Sequence, residues 1–281
     1  MSILAAGSLH LDVVLKAPHL PAIDETVTGR AVDYVFGGKG GNQALAASRM
    51  GADVDFVGRV GSDAFGDLIR QTLTASDINL EQLQRDTGPS GMSAAILNDK
   101  GDYGAVIVSA ANLNIEAEAV AIPRATKLLL LQNEVPETVN LDIAQKAKAA
   151  GAQVWLNAAP ARALSDELVD LLDLLIVNKV EAEFYSNAEL KTDILKTLGA
   201  DGISYRDVHY PGIAVDVVST HGAGDMCVGA LGAHFERTGN MADAIRFAQG
   251  AAALHVASDL EERAALNAAR VTAFLADQSI L

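Results

Sequence analysis

Five short apolar runs recur along this chain, separated by segments with helical spacing. The runs are SILAAG (2–7), VDFVGRVG (54–61), KLLLLQ (127–132), QVWLNAA (153–159) and LLIVN (174–178). Each has strand length and few polar interruptions, the pattern of a strand buried on both faces. GNQALAASRMG, AFGDLIRQTLTAS and PETVNLDIAQKAKAAG carry apolar residues at helical intervals, and the first and third stop at Gly51 and Gly151. Strands that alternate with helices imply a mainly parallel sheet covered on both faces, here an α/β/α sandwich of three layers.

Two regions break this rhythm. Residues 12–36 alternate more weakly and contain Pro18 and Pro21, and residues 91–109 read as a hairpin around NDKGD. Together they predict a small antiparallel flap beside the main sheet. The last 60 residues are mainly helical, with Asn240 and Asp243 placed as an N-cap pair. No repeat, low-complexity tract or linker divides the chain, so residues 1–281 are expected to form one domain with a flap.

Charge and cysteine content narrow the function. The chain has 36 acidic and 21 Lys or Arg residues, a net charge of -15. That excludes a broad basic surface for nucleic acid. It still permits a small anionic ligand, because a helix N-terminus holds a phosphate locally. The single cysteine, Cys227, has no internal disulfide partner, and no Cys/His cluster has zinc spacing. A reducing, cytoplasmic location is expected. The start MSILAAGSLHLDVVLK lacks the basic segment of a signal peptide, and LVDLLDLLIV carries two aspartates and is too short to span a bilayer.

Two glycine-rich stretches stand out. In FGGKGGNQA (36–44), four glycines precede a helix. The spacing fits neither a P-loop nor a dinucleotide fingerprint. Bare backbone with Lys39 and Asn42 suits a polyhydroxylated ligand; the plainer alternative is a tight turn and close helix packing. In STHGAGDMCVGALGAHF (219–235), the N–H groups of Gly222, Ala223 and Gly224 would point out of a helix start. With the macrodipole they make an anion hole. Asp225 repels a bound phosphate, so its presence makes sense if it takes a proton from a hydroxyl that attacks phosphorus. The alternative is a plain first-turn charge. Cys227 reads as core filling, since no activating base is legible near it.

These two stretches, in this order and about 180 residues apart, resemble the signatures of the ribokinase family of carbohydrate kinases, the PfkB family. Further matches follow in order: GSLHLDVV, LLLQNEVP, NAAPAR, VNKVEAE and TLGADG. The resemblance runs through nearly the whole chain. It implies the ribokinase-like sandwich with a small β lid, and ATP-dependent phosphorylation of a sugar hydroxyl. Asp225 would be the base, with Gly222, Ala223 and Gly224 holding the transferring phosphate. His10, Asp12, Gly38, Lys39, Asn42 and Glu134 would line the sugar site. Asn178 and Glu181 would organise Mg²⁺ through water and phosphates, an arrangement that suits a cation retaining its waters. Thr197 and Gly199 would form the nucleotide-side turn. The lid would close over the sugar, exclude water and make a homodimer contact.

Four departures from the family pattern modify these expectations. His10 stands where the ribokinase branch has Asn, which bears on the sugar. Ser219 stands where an Asp helps bind a monovalent cation, and ASDLEERAALN lacks the rest of that site. Potassium activation is therefore expected to be weak or absent. Glu181 and Gly199 lie only 18 positions apart, less than a full helix-strand unit requires, so the adenine side is expected to be open. GAGDMC replaces the usual GAGDTF. The main expectation is an ATP:sugar phosphotransferase acting on a hydroxyl, preferably primary, of a pentose or similar sugar. The competing one is a sugar- or nucleotide-binding regulator of the same fold with weak catalysis.

Overall fold

The structure is a computed structural model, and it describes residues 2–98, 100, 102–188 and 190–278. The turn expected at NDKGD includes Asp99 and Gly101, which lie outside the described residues. The first half of the chain runs β1 (Ser2–Ala6), β2 (His10–Ala17), β3 (Ala31–Gly37), α1 (Lys39–Arg49), β4 (Asp53–Val60), α2 (Ala64–Thr74), β5 (Ile78–Asn79), β6 (Leu83–Arg85), β7 (Met92–Asn98) and β8 (Tyr103–Val108). Next come β9 (Thr126–Gln132), α3 (Glu137–Ala149), β10 (Gln153–Asn157), α4 (Asp166–Val169), β11 (Leu174–Val177), α5 (Lys179–Phe184) and β12 (Asp193–Thr197). The chain ends with β13 (Ile203–Tyr205), β14 (Val208–Tyr210), α6 (Ala223–Thr238), α7 (Met241–Ala257), α8 (Leu260–Ala264) and α9 (Ala268–Asp277).

The main sheet has the order β14-β13-β12-β11-β10-β9-β1-β4-β5, with β6 also paired to β4. The pairs from β12 to β5 are parallel, and β13 and β14 add an antiparallel edge. The apolar runs explain the layers. Along β9, Leu128 and Leu130 enter one core, while Leu129 and Leu131 enter the other. Ile3 and Ala5 against Leu4 and Ala6 divide the same way on β1. One face packs on α1, α6, α7 and α9 through Leu45, Val228, Leu231, Phe247 and Val271; the other packs on α3 through Val139, Ile143 and Ala147. Burying each such Leu or Val is worth about 1.5–3 kcal/mol, so neither face can be left open to water.

The two irregular regions form a second sheet of order β3-β2-β7-β8. Strands β2 and β7 run parallel and only the outer pairs are antiparallel, so the flap is a mixed sheet and not the antiparallel one expected: its two halves come from separate chain segments that join side by side in the same direction. The N-terminal end of β2 is anchored at the top of the main sheet: His10, at its start, is buried and pairs with Gly37. The outer strands are loosely covered, with Val32 and Tyr34 on β3 and Val106 and Ile107 on β8 exposed. Between the six-residue α5 and β12 there is no further helix or strand among the described residues.

Candidate active site

Parallel strands bring their C-terminal ends to one edge, and that edge is where α/β sheets bind ligands. Here it collects Gly7 after β1, Glu134 after β9, Asn178 after β11 and Thr197 at the end of β12. The same edge receives the N-terminus of α1, where Glu134 is bonded, and with it the N-terminus of α6 through Asn42 and Gln43.

The first glycine cluster lets α1 start against the β1–β2 connection. Gly38 is its N-cap at φ 89°, a left-handed value, and a Cβ there would stand 2.7 Å from the Ser8 carbonyl oxygen. No residue with a side chain meets both demands. The helix lacks a side-chain cap of its own. Instead, the Lys39 N–H donates to Glu134 Oε2 at 2.8 Å, and the Ser8 hydroxyl donates to the same oxygen at 2.5 Å. Glu134 thus lies at the positive end of α1, as the macrodipole favours.

The second cluster meets the first because α6 carries small residues. A Cβ on Gly229 would sit 2.5 Å from both the Gln43 carbonyl oxygen and Ala46 Cβ. This close crossing places Asp225, one turn earlier on α6, against the start of α1. Its carboxyl accepts from Gln43 Nε2 at 3.0 Å and from Asn42 Nδ2 at 3.4 Å. Gln43 Oε1 in turn accepts from Gln132 Nε2 at 3.0 Å, and the Gln132 carbonyl accepts from Asn140 Nδ2 at 2.8 Å. Gln43, Gln132 and Asn140 are fully buried, so this chain of amides is fixed in a medium of low polarity.

Asp225 keeps some exposed surface, yet protein encloses its carboxyl. Loss of hydration pushes its pKa up, the Lys39 charge and the Gln43 and Asn42 amides oppose the shift, and the Glu134 charge reinforces it. A carboxylate made more basic in this way is a better proton acceptor. Beside it, α6 begins at Gly222 with φ 76° and no side-chain cap. Of the amides expected to form the hole, Ala223 N–H is engaged by the Thr220 carbonyl at 3.2 Å. The N–H groups of Gly222, Gly224 and Asp225 have no acceptor among the described residues. Among the described residues, two of the three amides read in the sequence, Gly222 and Gly224, are thus unspent, and Asp225 takes the place of Ala223 beside them.

Asp12 lies in β2 with its carboxyl against Gly37, where a Cβ would collide with it, and accepts from the Ser93 hydroxyl at 2.6 Å. His10 is buried, and its Nε2 has no partner among the described residues. Asn178 and Glu181 form a reciprocal capping box on α5: Asn178 Oδ1 accepts from Val180 and Glu181 N–H, and Glu181 Oε2 accepts from Asn178 N–H at 2.7 Å. Thr197 Oγ1 donates to the Val177 carbonyl at 3.4 Å, and Gly199 turns at φ 66° into open space. Bonds and charge link Lys39, Asn42, Glu134 and Asp225 into one group; Asn178, Glu181, Thr197 and Gly199 form another along the same edge. Among the described residues, no three His, Cys, Asp or Glu side chains form a metal cluster. Gln43 and Ser93, which bond to Asp225 and Asp12, and Gln132, which bonds to Gln43, are not among the residues that the sequence reading names. Gln43 and Gln132 stand inside FGGKGGNQA and LLLQNEVP, and a buried polar residue within an apolar pattern was the available signal.

Residues 2–261 match the pfkB family of carbohydrate kinases. The chain belongs to that family. It is 31% identical over 276 residues to the ribokinase of Haemophilus influenzae, covering 89% of this chain and 90% of that one. It is 32% identical over 273 residues to the Bacillus subtilis ribokinase, covering 92% and 93%. The structure of Arabidopsis thaliana ribokinase complexed with ribose and ATP superposes with a TM-score of 0.90 at 26% identity, covering 98% of each chain. This pfkB-family protein therefore has the ribokinase-like α/β fold and is a carbohydrate kinase, an ATP:sugar phosphotransferase. Its Met226 and Cys227, in place of the family's usual pair, are both buried against α1 and the sheet. No helix among the described residues is long and apolar enough to cross a membrane.

Proposed function

We propose that the kinase moves the γ-phosphoryl group of ATP to a hydroxyl, preferably primary, of a pentose or similar sugar. The observation that carries this reading is the Asp225 carboxyl, held by Gln43 and Asn42 on α1 while it stands beside the unspent amides of α6. The sugar lies between the lid sheet and α1. Asp12, Glu134 and Asn42 supply acceptors and a donor for its hydroxyls, because a carboxylate suits a diol. Lys39, whose charge reaches Asp225, adds a cation near the incoming phosphate. Asp225 takes the hydroxyl proton as the sugar oxygen bonds to the γ-phosphorus. The bond to the bridging oxygen breaks and ADP leaves. The Gly222, Gly224 and Asp225 amides meet the charge that develops on the phosphoryl oxygens.

The polar atoms left over by the capping box, one acceptor and one donor, fit a Mg²⁺ held through water beside a phosphate. Glu181 Oε1 and Asn178 Nδ2 have no hydrogen bond among the described residues. Glu181 Oε1 would accept from the cation's waters, Asn178 Nδ2 would donate to a phosphate oxygen, and the ion would supply neutralisation of the phosphates. Thr197 and Gly199 would border the nucleotide, whose adenine side is open because α5 runs so directly into β12. The lid sheet closes over the sugar, and its exposed apolar strands β3 and β8 suit a homodimer contact.

A coupled assay for ADP release across pentoses, hexoses and nucleosides tests the reading. Turnover with a pentose is expected. Binding of sugar or nucleotide without turnover on any substrate would favour a regulatory protein of this fold.

A further inference from the structure

Arg263 follows the α8 first turn and is 7% exposed, little for a charged side chain. Its guanidinium makes no ion pair with a carboxylate among the described residues. All of its side-chain hydrogen bonds go to main-chain carbonyls. Nη2 donates to Ser219 O at 2.6 Å, Nη1 to His221 O at 3.4 Å, and Nε to His255 O at 2.8 Å. A buried cation costs much hydration, so three aimed carbonyl dipoles are what makes it tolerable.

Those carbonyls belong to the segment that leads into α6. Residues 211–221 are mostly exposed and have few other anchors: Gln249 Nε2 on Pro211 O at 2.9 Å, Val218 and Ser219 N–H on the Val256 carbonyl, and His255 Nε2 on His221 O at 2.8 Å. In a trans peptide the C=O and the following N–H point in opposite directions. When His221 O turns toward Arg263 and His255, the Gly222 N–H must turn away from them. That N–H is one of the three unspent donors described above. Arg263 also faces the same cavity as Gly222 and Asp225, together with Arg49, His221 and His255.

We infer that Arg263 is a positioning residue, a built-in cation whose fork holds the Ser219–His221 carbonyls and thereby aims the Gly222 amide at the γ-phosphate of the nucleotide. The inference rests on the kinase reading above. It also gives a physical reason for the weak or absent potassium activation expected above: a tethered guanidinium meets these carbonyls in place of a soluble cation.

The test compares the parent enzyme with Arg263→Ala and Arg263→Lys. For Arg263→Ala, kcat/KM for ATP is expected to fall about tenfold or more, while KM for the sugar stays within about twofold. Guanidinium chloride at about 10 mM, far below denaturing concentrations, should restore at least about threefold of the loss and leave the parent unchanged. Arg263→Lys, with the charge but no fork, should fall between the two. Unchanged ATP kinetics in Arg263→Ala would overturn the inference. So would an equal loss on both substrates with a lowered melting temperature and no response to guanidinium, which marks a merely structural residue. A parent enzyme without turnover on any sugar would count against the kinase reading instead. Arg263 would then be judged on the same terms by the affinity of a fluorescent ATP analogue for parent and variants.

Discussion

Gln43 Nε2 lies 3.0 Å from Asp225 Oδ1, joining two residues 182 positions apart in the chain. The bond ties Asp225, the proposed proton acceptor on α6, to the N-terminal part of α1, so the two glycine-rich stretches meet in space. Removing the donor leaves the carboxylate short of a partner and Gln132 Nε2 without its acceptor. Gln43→Met should lower kcat about tenfold and move the acidic limb of the pH–rate profile upward, because the bond it deletes opposes the rise in Asp225 pKa. A pH profile of kcat checks both.

Asp225→Asn should depress kcat by about 10²–10⁴ while sugar binding changes little. It should also raise the melting temperature at neutral pH. A carboxyl whose folded pKa is raised binds more protons folded than unfolded, from its ordinary value near ~3.9 up to the raised value. Stability is therefore lost as pH rises through that window, and the charge remains a cost above it. The gain from Asn should shrink when melts are repeated near pH 4, below most of that window. A variant less stable at pH 8 than the parent would contradict the burial argument.

Gly229→Ala should be destabilising by about 1–3 kcal/mol, since its Cβ meets main chain and a rigid methyl that cannot both yield. Separation of α1 from α6 should also cost activity through the Gln43–Asp225 bond. Urea melts and kcat on the same preparation would show both effects together; an activity loss without a stability loss is not expected.

Much of this architecture was legible before the structure. Runs such as KLLLLQ and LLIVN are too apolar for anything but a strand covered twice, and Asn240 and Asp243 do form the N-terminal cap of α7. The donor pattern around Asp225 was not legible. Which amides are spent depends on the left-handed turn at Gly222 and on the carbonyl of Thr220, and neither is a matter of residue type. Arg263 was equally hidden: a charged residue inside ASDLEERAALN reads as solvated until its three carbonyls are brought to it from other segments.

Glu181→Gln separates the two tasks assigned to one side chain. An amide oxygen can still accept the Asn178 N–H, so stability should stay within about 0.5 kcal/mol. The lost charge should raise the Mg²⁺ concentration for half-maximal rate several-fold, about three to ten. An unchanged Mg²⁺ titration would leave Glu181 as a cap alone.

Cys227 should resist thiol reagents in the folded protein, because burial pushes its pKa to about 12. Ellman titration is expected to read no thiol until urea is added, and Cys227→Ala should keep sugar and ATP kinetics within about twofold. Rapid labelling of native enzyme would show that α6 opens.

The contact at Gly229 has a consequence for anyone transplanting this chemistry. The acid, its donors and the unspent amides sit on two rods that touch because one of them lacks a side chain at the crossing. Copying either sequence word alone into another scaffold would carry the letters without the distance that gives them meaning. The smallest portable unit is the pair of helices, joined at that crossing.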